Sequence, residues 1–192
     1  MARRTVSFVA GHYYHIYNRG VNCKPMFRHP DNYIFLLSRM KESASKSSNA
    51  IIAYCLMPNH YHLLVRQESE SPVSEFMQAI FNSYTKAYNK AFNRTGTLFE
   101  GPYKAVQVEE DPYLLHLCRY IHRNPLDAGL VKDPDEWPYS NYLEWVGKRA
   151  GSLVDLEFVR DFFPRPGEYS RFVMEYTPPP KIAEAIQKLA LD

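Results

Sequence analysis

No stretch of this 192-residue chain approaches the roughly 18 consecutive apolar residues that a membrane-spanning helix requires, so no membrane partner is expected. The segment Met1-Ala2-Arg3-Arg4-Thr5-Val6-Ser7 has neither the apolar core nor the small-residue cleavage site of a secretory signal, and a cytoplasmic protein is expected. Cysteine is scarce. Cys23, Cys55 and Cys118 are odd in number, widely spaced and without a CxxC pair, so neither a disulfide framework nor a thiolate zinc site is supported. There is no internal repeat or coiled-coil register. A net charge of +2 is too small to announce a nucleic-acid partner by itself.

What is present is an ordinary globular composition, 45% apolar and 23% charged, with an unusual 15 tyrosines. Charge is unevenly spread. Residues 1–110 hold 13 Lys and Arg against 8 Asp and Glu, and residues 111–192 hold 10 against 13. Tyrosines lie beside basic and amide residues in Tyr13-Tyr14-His15-Ile16-Tyr17-Asn18-Arg19, an interleaving that suits base stacking and phosphate contact as well as a half-wet core.

Periodicity predicts a strand over residues 12–18 and a helix after Pro30-Asp31, with Tyr33, Leu36, Leu37, Met40 and Ala44 on one face. The Ser/Lys/Asn stretch 43–49 reads as a loop. Strands follow at 51–56 and 60–66, joined by the Met57-Pro58-Asn59 turn. Ser71-Pro72 opens a long amphipathic helix, and residues 97–108 return as extended chain broken at Gly101-Pro102. Asp111-Pro112 reads as a helix start. Pro125 predicts that this helix ends near Arg123. The order β-α-β-β-α-β implies an α+β fold: a ferredoxin-like antiparallel sheet with helices on one face. Domain boundaries are expected at 1–149, with 150–192 as a C-terminal helical extension split at Pro164-Arg165-Pro166-Gly167 and Pro178-Pro179-Pro180.

On the strand 60–66, period-2 alternation sends His60 and His62 to one face and Tyr61 to the other, so both imidazoles can converge on one divalent ion. On the helix after Pro112, Tyr113, Leu114, Leu117 and Ile121 form the apolar face. Tyr120 stands at its flank with Asn124 one turn on, where a hydroxyl and an amide oxygen could both reach an ion held at the sheet. The residues alone leave open a wet tyrosine and a capping asparagine. Arg119, His122 and Arg123 are expected on the outer face of that helix, with Arg66 and Lys104 beside the strands. Together they would make a basic rim for a phosphodiester.

The H-Y-H that follows an M-P-N turn, the run D-P-Y-L-L-H-L-C-R-Y-I-H-R-N-P-L-D-A-G-L-V, the later W-P-Y-S and the early Y-H-I-Y-N-R-G together resemble HUH-type single-tyrosine transposases, in the REP-associated branch. The resemblance covers about residues 12–146. It implies that His60, His62 and Asn124 are metal ligands and that Tyr120 is the nucleophile, where other branches often carry Gln in place of Asn124. It implies cleavage and rejoining of single-stranded REP-like hairpin DNA through a 5′-phosphotyrosine, by a monomer or homodimer. The mixed nitrogen and oxygen set suits Mg²⁺ or Mn²⁺, though zinc would also bind such a pair. Arg66, Lys104, Arg119, His122 and Arg123 would meet DNA phosphates, and Tyr13 and Tyr17 would stack on unpaired bases. Two other readings remain at this point: a metal-dependent hydrolase with Tyr120 as bystander, and a non-catalytic single-stranded nucleic-acid-binding module.

Overall fold

The computed structural model describes residues 6–108, 112–175 and 177–188. The expected cap at Asp111 lies outside the described residues. Strands β1 (Tyr13–Arg19), β2 (Asn49–Leu56), β3 (His60–Gln67) and β4 (Lys104–Val108) form one antiparallel sheet in the order β2-β3-β1-β4. With α1 (Pro30–Ser47) after β1 and α2 (Val73–Ala91) after β3, this is the ferredoxin-like arrangement.

Alternation sorts the side chains. Tyr14 and Ile16 of β1, Tyr54 and Leu56 of β2, and Tyr61, Leu63 and Val65 of β3 pack with Leu36, Met40, Phe76, Ile80 and Tyr84 of α1 and α2. The two helices of the βαββαβ unit thus share one face. The opposite face carries Tyr17, Ile52, Cys55 and Leu64. It is covered by α3 (Tyr113–Asp127) through Leu114, Leu117, Cys118 and Ile121. Short helices α4 (Tyr142–Trp145), α5 (Leu156–Phe162) and α6 (Glu168–Glu175) add Tyr142, Trp145, Phe158, Tyr169 and Val173 to this second core. A last helix, α7 (Pro180–Gln187), follows.

Two boundaries differ from the sequence expectation. Helix α1 runs through the 43–47 stretch, where the Lys46–Glu42 ion pair at 2.8 Å supports the final turns. It stops at Ser48, which is left-handed at φ 46. Helix α3 runs through Pro125 to Asp127. The proline sits in the final turn, so it removes one backbone bond near an end that is closed in another way. Gly129 at φ 68 donates to the Leu126 carbonyl, and Leu130 donates to the Pro125 carbonyl. These are the paired bonds of a Schellman C-cap, and they, rather than the proline, end the helix.

The aromatic segment after α3 docks on the β2 edge. The Leu56 amide donates to the Tyr139 carbonyl, and the Tyr54 amide donates to Asn141 Oδ1 at 2.8 Å. At the irregularity between Ile51 and Ala53, the Ile52 carbonyl accepts from Asn141 Nδ2 and from Trp145 Nε1. The unpaired ladder group that a bulge leaves is thereby satisfied.

Candidate active site

Three elements, β1, β3 and α3, bring the site together on the α3 face of the sheet. His60 and His62 project from β3 on the same side, with rings 5.2 Å apart and nearly perpendicular. The register sets Tyr17 opposite His62 and His15 opposite Leu64, so His15 stands diagonally beside His62. Helix α3 lays its apolar stripe on β2 and β3 and turns Tyr120 and Asn124 toward the histidines. The Tyr120 ring meets His62 edge to face at 5.3 Å, and Asn124 Oδ1 lies 2.9 Å from His60 Nε2. Tyr120 therefore approaches the histidines of its own chain.

The geometry fits a cation. His60 Nδ1 lies 2.8 Å from Asn59 Oδ1, while its Nε2 lies 2.9 Å from Asn124 Oδ1. A neutral His60 donates to only one of these oxygens. The other ring nitrogen then carries a lone pair that a cation could take. His62 Nε2 is buried with no hydrogen-bond partner among the described residues, an orphaned atom of the kind a ligand satisfies. The groups that could serve as donors are two imidazoles and one amide, none of them a carboxylate. Among the described residues no group of three His, Cys, Asp or Glu is placed to hold a metal.

Burial controls the imidazoles. His62 is held well below its ordinary pKa by desolvation first and then by His15 and His60. His15 is pushed down to about 3 by desolvation. Both rings stay neutral near pH 7, the form in which a histidine can be a ligand.

Several residues assigned to the DNA rim are placed otherwise. His122 is fully buried, which corrects its expected place on an outer face. Its Nδ1 meets the Tyr169 hydroxyl at 2.5 Å and its Nε2 meets Asn141 Oδ1 at 2.8 Å. Helix α3 is covered by the sheet on one side and by α6 on the other, so it has little outer face in this region. Arg119 Nε donates to the Phe172 carbonyl and Arg123 Nη1 to the Val173 carbonyl, both at 3.0 Å. Two cations thus satisfy the last turn of α6, where helix polarity favours them. Arg66 is engaged by Glu68, by Asp155 at 2.7 Å and by the Tyr13 hydroxyl. Tyr17 is only 6% exposed and its ring stacks on His15 at 4.8 Å, so it does not offer an open face to a base. Tyr13 is half-buried against Phe158. Lys104 is exposed, its Nζ 5.7 Å above the Tyr17 ring.

The sequence reading missed His15, Asn59 and Asn141. His15 had a signal, since alternation along β1 puts it on the face of Tyr13 and Tyr17. Only the pairing of β1 with β3 reveals its neighbour.

The buried histidines also make a stability prediction. His122 is lowered to about 4 by desolvation, partly opposed by its bond to Asn141. Below the unfolded value of about 6.5 the unfolded chain takes up a proton that the folded chain refuses. Stability should therefore fall by about 1.4 kcal/mol per pH unit for each such histidine as pH drops from 6.5 toward 4. Urea midpoints measured from pH 7 to pH 4.5 should decline over this window, and a flat profile would contradict it.

A family model described as IS200-like transposase matches residues 8–124. The solved structure of a REP-associated tyrosine transposase bound to a REP hairpin superposes with a TM-score of 0.63 at 18% identity. It covers 81% of this chain and 94% of that one, a likeness of fold. A crystal structure described as a candidate transposase from Deinococcus radiodurans aligns over 69% of this chain and 95% of that one, at 16% identity and a TM-score of 0.42. No curated protein matches the chain by sequence. Among the described residues no helix is long and apolar enough to cross a membrane.

Proposed function

This chain belongs to the IS200-like transposase family, and from that premise we propose that it cleaves and rejoins single-stranded DNA beside a REP-like hairpin, with Tyr120 as nucleophile. The observation that carries this reading is the convergence of the Tyr120 ring on His62 at 5.3 Å with Asn124 Oδ1 at 2.9 Å from His60 Nε2, all within one chain. A nucleic-acid-binding platform has no use for buried imidazoles facing a tyrosine.

In the reaction, the Tyr120 oxygen attacks the scissile phosphorus as its proton passes to solvent. The bond from phosphorus to the 3′ oxygen breaks, that oxygen takes up a proton, and the 5′ side remains as a phosphotyrosine. The diester energy is retained, so a free 3′-OH can reverse the step and join a new strand without a nucleotide cofactor. An ordinary phenol, with a pKa of about 10, is a weak nucleophile at neutral pH. His60, His62 and Asn124 are the residues that would hold a divalent cation, Mg²⁺ or Mn²⁺. When bound, the cation supplies charge stabilisation to a non-bridging phosphate oxygen. Because all three donors are neutral, they do not offset its charge. Lys104 is assigned to a DNA phosphate and Tyr13 to an unpaired base at the rim.

Residues 1–149 are assigned to the transposase domain and 150–192 to a helical extension. The contacts of Tyr169, Phe172 and Val173 with α3 support a bracing role for the extension, because they grip the helix that carries Tyr120. Since the site is complete within one chain, the reading requires no exchange of helices between copies.

The test is incubation of the protein with 5′- or 3′-labelled single-stranded hairpin DNA and Mn²⁺, followed by denaturing electrophoresis. Label on the 3′ fragment should migrate with the protein, because that fragment carries the 5′-phosphate joined to Tyr120. A free 5′-phosphate product with no adduct would favour a hydrolase instead.

A further inference from the structure

We infer that His15 is a positioning residue for His62. Its Nε2 accepts a hydrogen bond from His62 Nδ1–H and so directs the His62 Nε2 lone pair into the space shared with His60, Asn124 and Tyr120. The inference rests on the cation-assisted reading above and deepens it. His15 Nε2 lies 3.0 Å from His62 Nδ1, and both rings are wholly buried. The rings are near parallel at 14° with centroids 5.2 Å apart. Tyr17 stacks on His15 at 4.8 Å, so the ring is held by packing as well as by the bond.

The two far nitrogens, His15 Nδ1 and His62 Nε2, have no hydrogen-bond partner among the described residues. Two neutral imidazoles joined by one hydrogen bond have only two arrangements. If His15 donates, His62 Nε2 carries a proton and cannot be a ligand. If His62 donates, Nε2 presents a lone pair to the site and the remaining proton of His15 rests on its Nδ1. A cation held at His62 selects the second arrangement, and an acceptor at position 15 makes that arrangement available. A partner of this kind, bonded to the non-ligating nitrogen of a ligand histidine, fixes the tautomer and the ring plane together.

A purely structural role, in which the bond only satisfies two buried rings, makes a different prediction. His15→Leu removes the acceptor, whereas His15→Gln carries an amide oxygen to about the position of the imidazole Nε2. Calorimetric titration of the full chain with Mn²⁺ should give affinity weakened by about 10- to 100-fold in His15→Leu and largely restored in His15→Gln. Thermal midpoints of both variants are measured alongside. In wild-type protein loaded with diamagnetic Mg²⁺, imidazole ¹⁵N spectra should find the proton of His62 on Nδ1. His15→Leu with wild-type Mn²⁺ affinity overturns the inference, and so does a protonated Nε2 on His62 in the loaded protein. Wild-type protein that takes up no Mn²⁺ brings down the cation reading and this inference with it, a result distinct from retained affinity in the variant. If His15→Leu fails to fold, the Gln variant and the wild-type spectrum decide between the two outcomes.

Discussion

Tyr120→Phe should abolish the covalent protein–DNA band and reduce strand cleavage by on the order of a thousandfold or more, because a phenyl ring retains the packing and removes only the attacking oxygen. The edge-to-face contact with His62 at 5.3 Å needs the ring and not the hydroxyl, so the variant should fold and keep its cation site. Hairpin binding, measured by fluorescence anisotropy, should change little, since phosphate and base contacts are assigned elsewhere. Loss of cleavage with binding intact separates a nucleophile from a structural tyrosine. Cleavage that survives at near wild-type rate would leave Tyr120 a bystander and make the hydrolase the better account.

The second large effect concerns the imidazoles. His62→Ala removes a proposed cation ligand that is wholly buried and central to the site, in ring contact with His15, His60, Tyr17 and Tyr120. Adduct formation should fall by on the order of a thousandfold, the several kcal/mol that charge stabilisation at a phosphate supplies. Treating wild-type protein with a chelator should cause a similar loss, and treating His62→Ala should add little, because both remove the same interaction. Full adduct yield in wild-type protein after chelation would refute the cation and leave the nucleophile untouched. The two experiments therefore fail independently.

The parts of this site that could be read from the sequence are those set by local periodicity. His60 and His62 share a face because strands alternate. Tyr120 and Asn124 are neighbours because helices repeat about every four residues, and the fold order follows from the apolar segments between Tyr13 and Val108. What could not be read depends on contacts between distant segments. The bond from His15 to His62 joins residues 47 apart and exists only in the β1–β3 register. His122 looked outward because a helical wheel assumes solvent on the side away from the sheet. Here α6 occupies that side and supplies Tyr169 and two carbonyls. Pro125 looked like a terminus, yet a proline in a last turn is tolerated when Gly129 and Leu130 close the end.

The bracing of α3 gives the extension a physical role in the account. Tyr120 is one residue from Arg119 and two from His122, both tied to α6. The side of α3 that carries Tyr120 and Asn124 faces the histidines. The other side is held by side-chain bonds to a helix far along the chain. The position of Tyr120 is thus set inside the second core, between the sheet on one side and α6 on the other.

The most direct test is peptide mass mapping of the denatured, nuclease-trimmed protein–DNA adduct. The account predicts a nucleotide remnant joined through phosphate to the oxygen of Tyr120. A remnant on another residue, or a reaction that yields cleaved DNA and no modified peptide at all, would contradict it.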